Sequence, residues 1–436
     1  MDATLISQVI GTGSIRPAAN SSHVLGNHGL YEVFPETEEE IAAVLRAAYE
    51  QGWTVIPMGG GTKRGFGGTE ANTDILLGLS AFRGIVDYAP GDMTVTVKPG
   101  TTIQEINTHL AAHGQMLPFD PYWPRHATVG GVVAANDSGP KRMRYGSVRD
   151  HVIGMRVVYP NGRIIRTGGK VVKNVAGYDM NKLFIGSMGT LGVMSEITLK
   201  LRPLPPFQTL LLLAFSRSDF TQIRSFAVSL LDSLMEPVSM EFLSPAVNQY
   251  MSGGNGYALA IAFEDEEKAV RYQEEWVKAR LPKDTEILSW EQEEAAEWWM
   301  RFARLPPSAL SSGDGEETMA IKIGSKNLDV LEIVKTCHEL GERYDLAVQT
   351  HGGVGHGITR VYLRGNPAHF AAYLTEIRSL AESRGGYAVI QHATLKQRRE
   401  LDVWGRQPAA FFLMEGIKRT IDPRRVLNPN RFIGGI

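Results

Sequence analysis

Twelve consecutive residues constrain this chain more than any others: Pro57-Met58-Gly59-Gly60-Gly61-Thr62-Lys63-Arg64-Gly65-Phe66-Gly67-Gly68. They follow a short apolar run, Trp53-Thr54-Val55-Ile56, and six of the twelve are glycine. A strand running straight into such a loop presents backbone N–H groups with no Cβ in the way, and glycine tolerates the left-handed dihedrals that turn successive amides toward one point. That is a cradle for a pyrophosphate, with Lys63 and Arg64 as counter-charges. No G-x-G-x-x-G opens a helix here, and G-K-[ST] is absent, so neither common phosphate motif applies. A plain surface turn is the competing reading, and the rest of the chain must decide.

The chain has 436 residues, too many for one ordinary core, so at least two domains are expected. A net charge of −2 with 21% charged residues leaves no electrostatic footprint for nucleic acid. The single cysteine, Cys337, excludes a disulfide framework, a thiolate zinc site and an iron–sulfur cluster ligated by this chain alone. The longest apolar run, Leu210 to Phe215, is strand-sized, well short of the roughly 18 residues of a membrane span. The first 17 residues lack a basic region followed by an apolar core, so a cytoplasmic protein is expected, associated with a membrane only through partner subunits.

Patterning divides the chain into four parts. Residues 1–25 read as a short helix and a connector, and residues 26–205 as a glycine-rich α+β domain. Within it Tyr31–Phe34 is a strand, Pro35–Glu40 starts a helix with acids in its first turn that continues through Ile41, Val44, Leu45 and Ala48 and is stopped by Gly52, and Trp53–Pro57 is the strand before the cradle. The alternation Thr94-Val95-Thr96-Val97 predicts a half-buried strand. Two further clusters of small residues follow, Ala127–Gly139 and Gly186–Val193, before a proline-rich linker at 202–206. In residues 206–397 glycine thins out, and two rounds of β-α-β-β-α-β predict an antiparallel sheet with helices on one face. Residues 398–436 read as a helical tail that returns to the first domain.

Three glycine clusters in one α+β domain are hard to explain as turns. The pieces PMGGGT, TVGGVVAANDSGP, RYGSVRD, KNVAGYD and GSMGTLGVMSEITLKLRP resemble the FAD-binding domain of the vanillyl-alcohol oxidase/p-cresol methylhydroxylase (PCMH) superfamily, over residues 30 to 205. The chain looks most like the glycolate oxidase group of D-2-hydroxyacid oxidoreductases, its FAD-binding E subunit in particular. The resemblance implies an α+β fold: a two-subdomain PCMH-type domain plus an antiparallel-sheet cap, or substrate, domain. It implies that Gly59, Gly60, Gly61, Thr62 and Lys63 hold the FAD pyrophosphate from one side. Thr128, Gly130, Gly131, Asn136, Ser138 and Gly139 would hold it from the other. Gly189, Thr190, Gly192, Val193 and Ile197 would line the adenosine part, and Asn430 and Arg431 would approach the ring. Relatives with covalent FAD carry a histidine near the position of Thr62, so non-covalent FAD is expected here.

Oxidising a 2-hydroxyacid requires a flavin to take the hydride at N5, a base, a cation for the carboxylate and exclusion of water. Trp298-Trp299-Met300-Arg301 resembles the W-x-x-R element of related dehydrogenases, which implies Arg301 as a carboxylate clamp; the alternative is a surface arginine on an amphipathic helix. His351 and His356, in Thr350-His351-Gly352-Gly353-Val354-Gly355-His356-Gly357, are candidates for the base, with Tyr178, Tyr122 and His392 as further possibilities. Relatives use H-x-G-x-G-x-x-H to hold a divalent metal; here the second histidine comes two residues early and Ile358 stands in its place, so no metal is expected. The expected function is oxidation of a small 2-hydroxyacid such as glycolate or D-lactate, with electrons leaving to an iron–sulfur subunit or a quinone. The alternative is a FAD-binding assembly or electron-relay subunit beside a larger FAD subunit and an iron–sulfur subunit.

Overall fold

The computed structural model describes residues 14–18, 23–68, 72–170, 178–215, 219–310 and 317–436. Most of the run 173–179 therefore lies outside the described residues, as does the helix expected before residue 14. The stretch read as a connector contains a strand, β1 (Ile15–Pro17), because its backbone pairs antiparallel with residues 31–33.

The chain then builds β2 (His28–Val33), β3 (Val55–Met58) and β4 (Asn72–Gly78), in the sheet order β1-β2-β4-β3, with the last three parallel. Parallel strands need a crossover, and helix Glu38–Gln51 supplies one. Thr37 and Glu40 form a capping box at its start, and Gly52 at φ 73° ends it. Its face Ile41, Val44, Leu45 and Ala48 is fully buried against β2, β3 and β4.

A second, antiparallel sheet follows: β5 (Ile85–Ala89), β6 (Thr94–Val97), β8 (Val152–Val158), β9 (Ile164–Gly168) and β10 (Val193–Lys200), ordered β5-β6-β10-β8-β9. A short pair, β7 (Gln115–Met116) with β11 (Arg202–Pro203), lies beside it. All four residues of β6 are buried, not half of them as the alternation predicts. The threonine side of β6 tolerates burial because Thr96 and Thr198 share a hydroxyl hydrogen bond of 2.9 Å.

The remaining strands form one antiparallel sheet: β12 (Phe207–Phe215), β13 (Ser239–Leu243), β14 (Ala258–Asp265), β15 (Thr285–Glu291), β16 (Thr318–Gly324), β17 (Leu346–Gly353), β18 (Ile358–Gly365) and β19 (Tyr387–His392). Their order is β15-β12-β14-β13-β17-β18-β16-β19. Four long helices, Phe220–Leu231, Glu267–Lys278, Asp329–Arg343 and Phe370–Ser383, cover one face through an aliphatic core that includes Val334, Leu340 and Ile377. The opposite face carries two shorter helices, Pro245–Ser252 and Gln292–Phe302, and meets Tyr122 and Tyr145 of the glycine-rich half. That second face is where the two halves of the protein face each other.

The tail returns as a strand-like segment. Val55 donates to Val426 O at 2.8 Å and accepts from Asn428 N at 2.9 Å, so residues 426–428 extend the edge at β3 just before the cradle.

Candidate functional site

The loop after β3 is held from behind by buried side chains. Arg398 donates to the carbonyls of Gly67, Gly68 and Leu25, Arg431 Nη2 donates to Lys63 O at 2.9 Å, and Asn27 Nδ2 donates to Arg64 O at 2.8 Å. Carbonyls are thereby drawn to one side. The amides from Gly59 to Lys63 have no acceptor among the described residues. A Cβ on Gly60 would stand 1.7 Å from His126 O, and one on Gly59 would stand 2.0 Å from Thr128 Oγ1. Gly61 has φ 73°. These three glycines are sterically required.

Two adjoining cavities meet at this loop. Gly59, Gly60, Gly61, Thr62, Lys63, Thr128, Gly131, Asn428 and Arg431 line the first, and Gly130, Gly189, Gly192 and Val193 join Gly59, Thr128 and Gly131 around the second. Arg431 Nε and Asn428 Oδ1 are buried there without partners. Free amides plus an orphaned guanidinium N–H suit a diphosphate, and an orphaned amide oxygen suits an exocyclic amine. The donor set fits FAD.

Other residues expected at the cofactor line neither cavity. Asn136 ends helix Val129–Ala135 in the left-handed conformation, Ser138 Oγ accepts from Val148 N, and Thr190 donates to Ser187 O. Gly139 lets the backbone approach Asp120, Ile197 is fully buried in β10, and Asn428, two residues before Asn430, lines the first cavity. Lys63 does not offer its charge to the cavity: Nζ sits 3.0 Å from Asp137 Oδ2. Arg64 lines the first cavity, and its Nε donates to Gly26 O.

Asp137 connects the cradle to the eight-stranded sheet. Its second oxygen accepts from Arg360 Nη2 at 3.2 Å, and the same nitrogen donates to Ser138 O at 3.2 Å. Arg360 also donates to Gln391 and lies 4.5 Å above the Tyr122 ring. Burial would raise the Asp137 carboxyl, but Lys63 and Arg360 outweigh it and hold its pKa below the ordinary value.

Arg360 stands in a row. In β18 it pairs directly with His351 of β17 on one side and with Lys322 of β16 on the other. Directly paired residues share a face, so His351, Arg360 and Lys322 all lie on the face turned to the glycine-rich half. Tyr362, two residues along β18, lies on that face too. His351 Nδ1 contacts Glu241 Oε2 at 2.8 Å, and Nε2 contacts the Tyr362 hydroxyl at 3.0 Å. His356 Nδ1 accepts from Ile358 N, which leaves its Nε2 protonated toward Glu241 Oε1 at 3.3 Å. Burial would push Glu241 up, yet contacts with the two histidines hold it at about 2. Burial keeps His351 neutral by lowering its pKa against the pull of Glu241. His351 and Glu241 thus satisfy one another while His356 Nε2 stays buried without a hydrogen bond, and among the described residues no group of three His, Cys, Asp or Glu is arranged to hold a metal ion.

His392, at the end of β19, packs against the cradle; a Cβ on Gly65 would be 2.9 Å from its Nδ1. Burial, helped by Arg398 and Lys63, lowers its pKa to about 4, so it is a neutral base at physiological pH. A cleft of about 1020 Å³ reaches both His392 and Tyr362.

Two expected catalytic residues lie elsewhere. Arg301 is exposed on helix Gln292–Phe302 and donates to Met251 O, at the end of helix Pro245–Ser252. Trp298, on the same helix, fills the core. Tyr178 is 91% exposed. The charged and polar groups gathered around His351 and Arg360 are Lys322, Glu241 and Tyr362, which no sequence motif marks. A signal existed: Arg360 and Tyr362 alternate with Val361 and Leu363, and Lys322 and Glu241 interrupt otherwise apolar strands.

Two family models match the chain in succession. A family model described as an FAD binding domain matches residues 30–168, and one described as FAD linked oxidases, C-terminal domain, matches residues 204–432. The glycolate oxidase subunit GlcD of Bacillus subtilis is 26% identical over 414 residues, covering 92% of this chain and 88% of that protein. The mitochondrial D-lactate dehydrogenase [cytochrome] 1 of Saccharomyces cerevisiae is 27% identical, covering 92% and 71%. The glycolate oxidase subunit GlcE of Escherichia coli is 45% identical over 130 residues, covering 30% and 37%. Among solved structures, p-cresol methylhydroxylase superposes with a TM-score of 0.77 at 15% identity, over 98% of this chain and 95% of that one, which shows the shared fold.

Proposed function

Because this chain belongs to the FAD-linked oxidases and uses FAD, we propose that it oxidises a small 2-hydroxyacid of the glycolate or D-lactate class to the 2-oxoacid. The observation that carries this reading is the row His351, Arg360 and Lys322 on one sheet face, opposite the cradle that suits the cofactor. FAD, when bound, supplies the two-electron acceptor, and the absence of histidine at position 62 supports non-covalent attachment.

Each remaining requirement has a residue. The carboxylate of the acid is held by Lys322 together with Arg360, whose guanidinium is already fixed by Asp137, Ser138 and Gln391. Burial and the charge of Arg360 lower Lys322 to about 8, so at neutral pH it is a cation pressed to gain an anion. His392, neutral and against the cradle, accepts the hydroxyl proton. Tyr362 is positioned by His351, which Glu241 orients in turn, as in other carboxylate–imidazole pairs. The apolar walls around Phe302 and Tyr122 keep water from the charges and strengthen them.

A second reading is favoured by the 45% identity to a subunit named GlcE. In it the chain carries FAD as a relay or assembly subunit beside a larger FAD subunit and an iron–sulfur subunit, and the anion pocket serves the complex. An anaerobic visible spectrum separates the two. If the first reading is right, a flavin spectrum bleaches on addition of glycolate or D-lactate to the purified chain. A flavin that stays oxidised until partner subunits are added overturns it in favour of the second.

A further inference from the structure

Tyr122 reaches from the cofactor half onto the sheet face that carries His351, Arg360 and Lys322. Its side chain is only 4% exposed, and the Arg360 guanidinium stands 4.5 Å from the centre of its ring. The rings of His351 and Phe302 lie 6.3 and 6.5 Å away. The Tyr122 hydroxyl is within electrostatic reach of Arg360, Tyr362, Glu241 and Asp137, yet it forms no hydrogen bond to any described residue. A buried phenol ordinarily finds a partner, so this one is short of an acceptor.

The loop that carries it is fixed from both sides. Trp123 has φ 58°, a left-handed conformation that a bulky residue rarely adopts without support. Trp123 N donates to Ala303 O at 3.0 Å and Nε1 donates to Pro306 O at 2.9 Å, both in the sheet half. Its carbonyl accepts from His126 N at 2.9 Å and Ala127 N at 2.7 Å in its own half. The neighbouring Tyr122 ring is therefore held over Arg360 before any ligand arrives.

Two phenols stand at this row of charges, and their protons are not equivalent. Glu241, held at about 2, is a carboxylate and can only accept, so His351 donates to it from Nδ1. Neutral His351 has one N–H, which leaves Nε2 as an acceptor and makes the Tyr362 hydroxyl its donor. Tyr362 has thereby committed its only proton and has lone pairs alone to offer, which repel a carboxylate. Tyr122 is the reverse case. Burial raises its pKa far above the ordinary value, so it stays protonated, and its O–H is uncommitted.

We propose that the Tyr122 hydroxyl donates to the carboxylate of the bound 2-hydroxyacid and, with Arg360 and Lys322, completes an anion site that spans the two halves of the protein. This assignment rests on the proposed function and adds to its site a residue from the cofactor half. The cations supply attraction, and the phenol supplies a directed donor that is never lost to pH in the working range.

The test titrates the FAD-loaded full chain anaerobically with oxalate, an unreactive carboxylate, and then with glycolate or D-lactate, following the flavin spectrum. Tyr122→Phe keeps the ring and removes only the hydroxyl. It is expected to weaken oxalate and to raise KM for the hydroxyacid by about 10- to 100-fold, as for loss of a hydrogen bond to a charged group. Flavin reduction at saturating hydroxyacid should stay within about threefold of wild type, because the carboxylate keeps its charge throughout the reaction. A merely structural tyrosine would move flavin content and melting temperature instead, and both are expected to be unchanged. 3-Fluorotyrosine in place of Tyr122 gives a second reading with the hydroxyl retained: its fluorine resonance should shift when oxalate is added. Equal oxalate affinity in wild type and Tyr122→Phe, or a fluorine resonance that oxalate leaves unmoved, overturns this assignment and leaves the proposed function standing. So does a Tyr122→Phe variant of intact affinity whose reduction is slowed more than about tenfold, which puts the hydroxyl on the reacting oxygen. A wild-type chain that binds neither oxalate nor a hydroxyacid overturns both.

Discussion

Lys322 and Arg360 face each other directly across β16 and β18, two cations side by side on the sheet face that meets the cofactor half. Asp137 accepts from Arg360, whereas Lys322 has no hydrogen bond to any of the described residues. The pair is therefore under-neutralised, and in the proposed function the carboxylate of the 2-hydroxyacid completes it.

The sign of the pH dependence follows. Burial and Arg360 set the Lys322 pKa at about 8, below its ordinary 10.5, so the group is charged below that value and loses its proton as pH rises through it. The kcat/KM for a 2-hydroxyacid is expected to fall above pH about 8, because this ratio reports the free enzyme. In Lys322→Met that limb disappears, and KM rises about 10- to 100-fold, as for loss of a charged hydrogen bond. Stopped-flow reduction across pH measures both.

His392 is expected to take the substrate proton. His392→Asn should slow anaerobic flavin reduction by about 10²- to 10⁴-fold with substrate affinity nearly intact. An unchanged reduction rate assigns the proton to another group, and the Tyr362–His351–Glu241 chain is then the place to look.

Arg301 lies exposed, bonded to Met251 O, and is expected to be dispensable for chemistry. Arg301→Met should change KM less than about twofold and stability by no more than about 1 kcal/mol, as usual for an exposed side chain. Arg360→Met, by contrast, should abolish acid binding and destabilise the protein, since it removes one of the two cations that neutralise the buried Asp137. Titration with an unreactive acid analogue and a thermal melt distinguish the two.

Gly60→Ala places a methyl 1.7 Å from His126 O, and that neighbour is backbone, which cannot rotate away. The expected result is a colourless or only weakly flavin-loaded protein with a melting point several degrees lower, corresponding to about 1–3 kcal/mol of overpacking. The absorbance ratio of flavin to protein reads the first part and calorimetry the second.

What the sequence by itself determined is local. Glycine clusters declare where backbone must approach backbone or ligand, because no other residue fits; Gly59, Gly60 and Gly61 were legible for that reason. Alternation declared the strands, and acids in a first turn followed by helical spacing from Ile41 to Ala48 declared the first crossover helix. Only the tertiary structure decided the polar half of the site. Lys322 lies 38 residues before Arg360 and becomes its neighbour only through strand register, which no local motif encodes, while His351, nine residues before Arg360, meets it across a hairpin. The same holds for Lys63: its place in the loop pointed to phosphate, but Asp137, 74 residues later, captures its charge because burial makes an unpaired carboxylate costly. Motif likeness alone favoured Arg301, yet its helix turns that side chain outward and Trp298 inward, since burying the indole gains more than burying a guanidinium.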